Sequence, residues 1–170
     1  MIFTEPRDPR FITIRRGGSL RDADHRRLAL WAASCAEHVL PVFEAVARGD
    51  DRPRRAIALS RAWARGEVAM RQALAAAASR AAARDVSGAA RFAAYAAAQA
   101  VAVAHVAAHE LGAAAYAIRA VQAAADPPDR RQAGHRECQW QREQLPDEIR
   151  DLVLDDQRLR HHACWFVFED

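Results

Sequence analysis

At 170 residues the chain is long enough to bury one full core without disulfides or a structural metal. Hydrophobic residues make up 51% of it, many of them Ala, and only 7 Gly and 7 Pro argue against a β-sandwich or a disordered chain. All 25 basic residues are Arg; set against 22 acids they leave a formal charge of +3, too mild and too dispersed to favour nucleic acid as a partner. Cys35, Cys138 and Cys164 are scattered and form no CxxC pair, which argues against a disulfide framework or a zinc ribbon. The N-terminus lacks a hydrophobic signal core, and no apolar run of spanning length is free of His, Glu or Arg. The reading is a soluble, cytoplasmic protein with no membrane partner.

In chain order, residues 1–18 read as an extended arm. Pro6 and Pro9 hold its first half open, "RFITIRR" is β-prone, and Gly17-Gly18 closes it. One strand cannot make a sheet, so the arm packs on its own domain, pairs with a late segment, or pairs with another copy in a homodimer. Residues 19–170 read as one helical-bundle domain. Ser19 and Asp22 have capping-box spacing, and the helix they introduce carries Leu28, Trp31, Cys35, His38 and Val42 on one stripe. Pro41 should kink that helix and Gly49 should end it.

A second helix opens near Asp51 with Pro53 in its first turn. Its stripe runs Ala56, Leu59, Trp63, Met70, Leu74, Ala77, Ala81, with Arg54, Arg61, Arg65 and Arg80 elsewhere. Glu67 interrupts the stripe, so it is expected to be buried and paired with an Arg or His. A third helix starts after Ser87 and runs to about Ala124. Its larger apolar residues point in almost every direction, the pattern of a long, central, Ala-rich helix. After "ADPPDRR" comes a helix to Leu145, a break at Pro146 and shorter helices; Trp165, Phe166 and Phe168 dock a terminal one. No repeat, linker or second domain is visible. The expected fold is an all-α, single-domain helical bundle.

The chemistry-bearing residues lie on the faces expected to be buried. In "HVAAHELGAAAYA", His105 and His109 stand four apart on one face of the central helix. His38, Cys35 and Glu67 point inward from two others. Together they could complete a tetrahedral site for zinc or another transition metal, with His38, His105 and His109 as ligands and Cys35 or Glu67 as a further one. The string is not HExxH, because Glu110 follows the second histidine, so a metalloprotease is excluded. A buried network in which each imidazole is neutral and hydrogen-bonded needs fewer assumptions and no cofactor. Cys35 with His38 as nucleophile and base lacks a third orienting group and an oxyanion site. His161, His162 and Cys164 could form a surface metal clip, though a docked terminus explains them as well.

Three strings carry a family resemblance: "IRRGGSLRDADHRRLALWAASCAEHVLPVFE", "RPRRAIALSRAWARGE" and "AQAVAVAHVAAHELGAAAYAIRA", with "REC-QWQ" and "LPDEIRDLVL" as weaker continuations. They resemble the Ala-rich immunity proteins of bacterial polymorphic toxin systems, some of which carry an exonuclease-component label. The resemblance covers roughly residues 10–125. It implies a helical domain that binds and neutralises a cognate protein toxin without chemistry of its own, and it brings no catalytic residues. Many such toxins are basic nucleases with acidic inhibitors, whereas this chain has a pI near 9.1. Its target is therefore expected to be acidic or gripped through an apolar surface. The alternative is a helical-bundle metal- or small-ligand-binding protein, an enzyme included, built on Cys35, His38, Glu67, His105 and His109.

Overall fold

The computed structural model describes residues 8–74 and 78–168. Pro6 and Ala77 of the sequence reading lie outside them, as does the Leu74 side chain. Among the described residues the fold is all-α, with eight α-helices and no strand. The described part of the arm, residues 8–18, is not extended. Pro9–Phe11 and Ile14–Arg16 form 3₁₀ turns, and Thr13 and Leu20 make one isolated bridge. Asp8 caps the first turn by accepting from the Arg10 amide at 2.8 Å, and Phe11 and Leu20 anchor the arm in the core. These tertiary anchors override the β propensity of "RFITI". Gly18 is required there, because a Cβ would lie 2.1 Å from the Ile12 carbonyl oxygen.

Helix α1 spans Asp22–Glu44 with Arg21 as its N-cap, and no side chain caps it. Ser19 instead turns its hydroxyl to the Pro9 carbonyl at 3.5 Å, so the expected capping box does not form. Its buried face is broad, taking in Leu28, Ala32, Cys35, Ala36, Val39 and Phe43. His38 lies roughly a third of a turn from the centre of that face, and its side chain is 44% exposed. The expected inward stripe is corrected at that position.

Helix α2, Arg52–Ala64, begins at Asp51 with Pro53 in its first turn, as the sequence suggests. It ends well before Ala81: Gly66 adopts φ +79°, a conformation that terminates a helix. Two short helices follow, α3 (Met70–Leu74) and α4 (Ala78–Ala82). Glu67 consequently sits in a loop.

The long central helix is also corrected. It is two helices, α5 (Gly88–Ala102) and α6 (Glu110–Ala124), joined by a turn and a short 3₁₀ segment over 103–109. They run antiparallel. Tyr95 meets Tyr116 with ring centroids 5.1 Å apart, Arg119 lies 5.1 Å from the Phe92 ring, and a Cβ on Gly112 would come 2.7 Å from the Gln99 side-chain oxygen. Ala96, Ala97 and Ala98 are all buried, as are Ala113, Ala114 and Ala115. Three consecutive buried positions cover most of a helix's circumference. This pair is the centre of the bundle, packed against α1, with α2 against α1 and α5.

Helix α7 (Arg130–Glu143) packs on α6, and α8 (Asp147–Arg160) follows the break at Pro146. Arg150 of α8 donates to the carbonyls of Arg142 at 3.0 Å and Leu145 at 2.7 Å, satisfying the end of α7. The chain closes in a 3₁₀ turn, His161–Cys164, after which Trp165 and Phe166 both take left-handed backbone angles. Phe168 is buried as expected, but Trp165 and Phe166 are about half exposed.

Candidate functional site

No Gly or Pro interrupts "AVAHVAAHE", and Ala would continue as helix. The break there is stabilised from outside. The hydroxyl of Ser60, fully buried on α2, donates to the Ala100 carbonyl at 3.0 Å, and His25 Nε2 of α1 donates to the Val103 carbonyl at 2.6 Å. Arg160 of α8 reaches the Ala108 carbonyl at 3.2 Å. Three side chains from three helices thus satisfy carbonyls that a broken helix leaves open. Burial pushes the His25 imidazole below its ordinary value, so it is neutral and donates from Nε2. Its ring edge rests on Trp63, with centroids 4.8 Å apart.

This turn forms one wall of a cleft of about 1190 Å³. The arm contributes Phe11, Ile12, Arg15 and Arg16; Trp63 and Met70 approach from another side; the fourth wall is Asp156, Leu159, Arg160 and the terminal 3₁₀ turn. Beneath that wall lies a buried charged group. Arg160 holds Asp156 in a two-pronged ion pair, its Nε at 2.6 Å, while its Nη2 stands 3.9 Å from Glu110. Glu110 is fully buried, and neither of its oxygens receives a hydrogen bond. Burial first, and the Asp156 carboxylate second, push its carboxyl well above the ordinary glutamate range, against the pull of Arg160. Glu110 is therefore biased toward its protonated form.

The sequence-derived residues do not converge. His105 is exposed in the turn, and His109 sits at the N-cap of α6 with its Nδ1 2.7 Å from the Gln99 side-chain oxygen. Because the helix breaks between them, they do not share a helical face, although both line the cleft. His38 is elsewhere: its Nδ1 is 2.8 Å from the buried Glu137 carboxylate, and its ring stacks on Trp140 at 3.7 Å. Gln141 completes that network, its side-chain amide donating to Glu137 at 2.8 Å while its main-chain carbonyl accepts from Trp31 at 2.8 Å.

Cys35 is fully buried; burial, with Glu137 and Glu110 adding to it, pushes its thiol far up. Glu67 is exposed, against expectation, and pairs with Arg65 at 2.5 Å. Cys164 is buried at the end of the terminal turn, its thiol pushed up to about 12 chiefly by burial, while His162 is exposed. Among the described residues no group of three or more His, Cys, Asp or Glu side chains is arranged to hold a metal ion.

Sequence reasoning missed His25, Ser60, Glu137, Asp156 and Arg160. His25 carried a signal, since it lies one turn before Leu28 on the α1 face that is buried. Asp156 and Arg160, and Glu137 with Gln141, carried i,i+4 spacing on one helix, whereas Ser60 finds its partners only across the tertiary fold.

The model of the Imm-5 like putative immunity protein family matches residues 18–148. The chain belongs to this family. No curated protein and no solved structure matches it. The match takes in α1 to α7, the turn between α5 and α6 included, and ends at the start of α8. Most of the arm and the last wall of the cleft lie outside the matched residues. No helix among the described residues is long and apolar enough to cross a membrane.

Proposed function

We propose that this immunity-family protein acts by binding and neutralising a cognate toxin of a polymorphic toxin system, without chemistry of its own. The match to the family over 18–148 carries the reading. The state of the chemistry-bearing side chains supports it. Cys35 is sealed in the core with its thiol held protonated, and His38 is turned to Glu137, so the two do not work as nucleophile and base. Cys138 and Cys164 are buried as well. Ser60 and His25 are committed to backbone carbonyls.

An inhibitor of this kind needs a rigid scaffold and an accessible surface, and the Ala-packed bundle with a wide cleft supplies both. The test is co-expression with the toxin domain encoded beside its gene. Growth should be restored by the wild-type protein, and the two purified proteins should co-elute. Absence of both protection and co-elution would remove the reading.

A further inference from the structure

Resting on that reading, we infer that the cleft is the docking site, and that its occupant is an acidic segment of the partner protein carrying apolar side chains. Size comes first. At about 1190 Å³ the cleft exceeds the roughly 300–1,000 Å³ typical of small-molecule sites, and its lining comes from well-separated stretches of chain. That shape suits a length of polypeptide.

Charge comes second. Arg15, Arg16 and Arg80 line the cleft. Its two carboxylates are already engaged, Asp8 by Arg10 and Asp156 by Arg160. Among the described residues, Arg15 keeps only a highly exposed contact to Asp22 at 3.2 Å, and neither Arg16 nor Arg80 has an ion pair. The cleft therefore carries positive charge that the chain itself does not neutralise.

The apolar content is third. Trp63 and Met70 are half-buried, and Leu159 is 47% exposed. Tryptophan and arginine around an apolar floor are the residues that dominate protein interfaces. A nucleic acid would instead require a longer track of cations than these three arginines provide.

The test uses a fluorescein-labelled twelve-residue peptide of alternating Glu and Leu pairs, read by anisotropy, with a single-stranded oligothymidylate of equal length as competitor. Arg16→Glu with Arg80→Glu should weaken peptide binding by roughly tenfold or more. Arg131→Glu with Arg136→Glu makes the same charge change on α7, which contributes nothing to the cleft, and should leave binding within about twofold. Helical circular dichroism checks that both variants fold; His105→Glu, at an exposed turn position, serves as the second cleft variant.

No peptide binding by the wild type, equal loss in the α7 variant, or stronger binding of the oligonucleotide would each overturn the inference. The toxin provides the separate readout. If the wild type fails to protect cells, the inhibitor reading falls, whatever the peptide does. If the wild type protects and the cleft variant protects equally well, the docking site is elsewhere.

Discussion

Glu110 sits in the interior between Asp156 and the Arg160 guanidinium, with no hydrogen bond to either oxygen. Its folded-state proton affinity is raised, so unfolding above the ordinary glutamate range releases a proton. Its contribution to stability is complete below that range and is lost as pH rises through the folded value. Glu110→Gln removes the titration and keeps the shape. The variant should therefore be more stable than wild type near neutrality, by on the order of 1 kcal/mol, and the gain should shrink in acid. Urea midpoints across the pH range measure this; a gain independent of pH would mean that Glu110 does not titrate as described. Glu67 provides the contrast. Exposed, and paired among the described residues with Arg65, it should tolerate Glu67→Ala with no resolvable change of midpoint in the same measurement. Periodicity placed Glu67 inward because it assumed the helix continued past Ala64. The Glu110 site was invisible in the sequence, since its partners Asp156 and Arg160 come from the far end of the chain.

At the scale of the helices, the turn between α5 and α6 depends on side chains from α1 and α2. Ser60→Ala should cost about 1 kcal/mol, and His25→Ala about 1–3 kcal/mol because it also strips the contact with Trp63. Both should raise hydrogen exchange first at the backbone amides of 103–109; uniform acceleration across the chain would show that the turn is not where these donors act. Gly112→Ala should act on the same joint, because the new methyl displaces the Gln99 side chain that His109 faces. Local signals were legible at Pro53, Ser87 and Pro146, which begin or separate helices at the expected places, but Gly49 did not end α1, which stops at Glu44. Gly66 was equally legible and went unread, and its positive φ is what ends α2. The α5–α6 break carries no Gly or Pro, so only the tertiary donors reveal it. His105 and His109 were misplaced for that reason, although the turn does bring both to the cleft.

For the molecule as a whole, the all-α class followed from helical periodicity and the paucity of Gly and Pro, whereas the cleft depends on how distant stretches of chain meet. Those stretches meet one core: Phe11 of the arm, the α5–α6 pair and the terminal Phe168 belong to a single buried cluster, and Trp63 and Met70 pack against it. A shared core of this size should melt cooperatively. The four tryptophans report on it from separate places: Trp31 in the centre, Trp63 at the cleft, Trp140 on α7 against His38, and Trp165 beside Tyr116 near the C-terminus. Thermal unfolding followed by tryptophan fluorescence should therefore coincide with loss of helical circular dichroism. Variants that each retain a single tryptophan should give the same transition within each variant by both probes. If the Trp165 reporter melts below the circular dichroism transition while Trp31 follows it, the C-terminal wall of the cleft is a separate, weaker unit. The cleft would then be assembled by docking that unit and would not be built into the core.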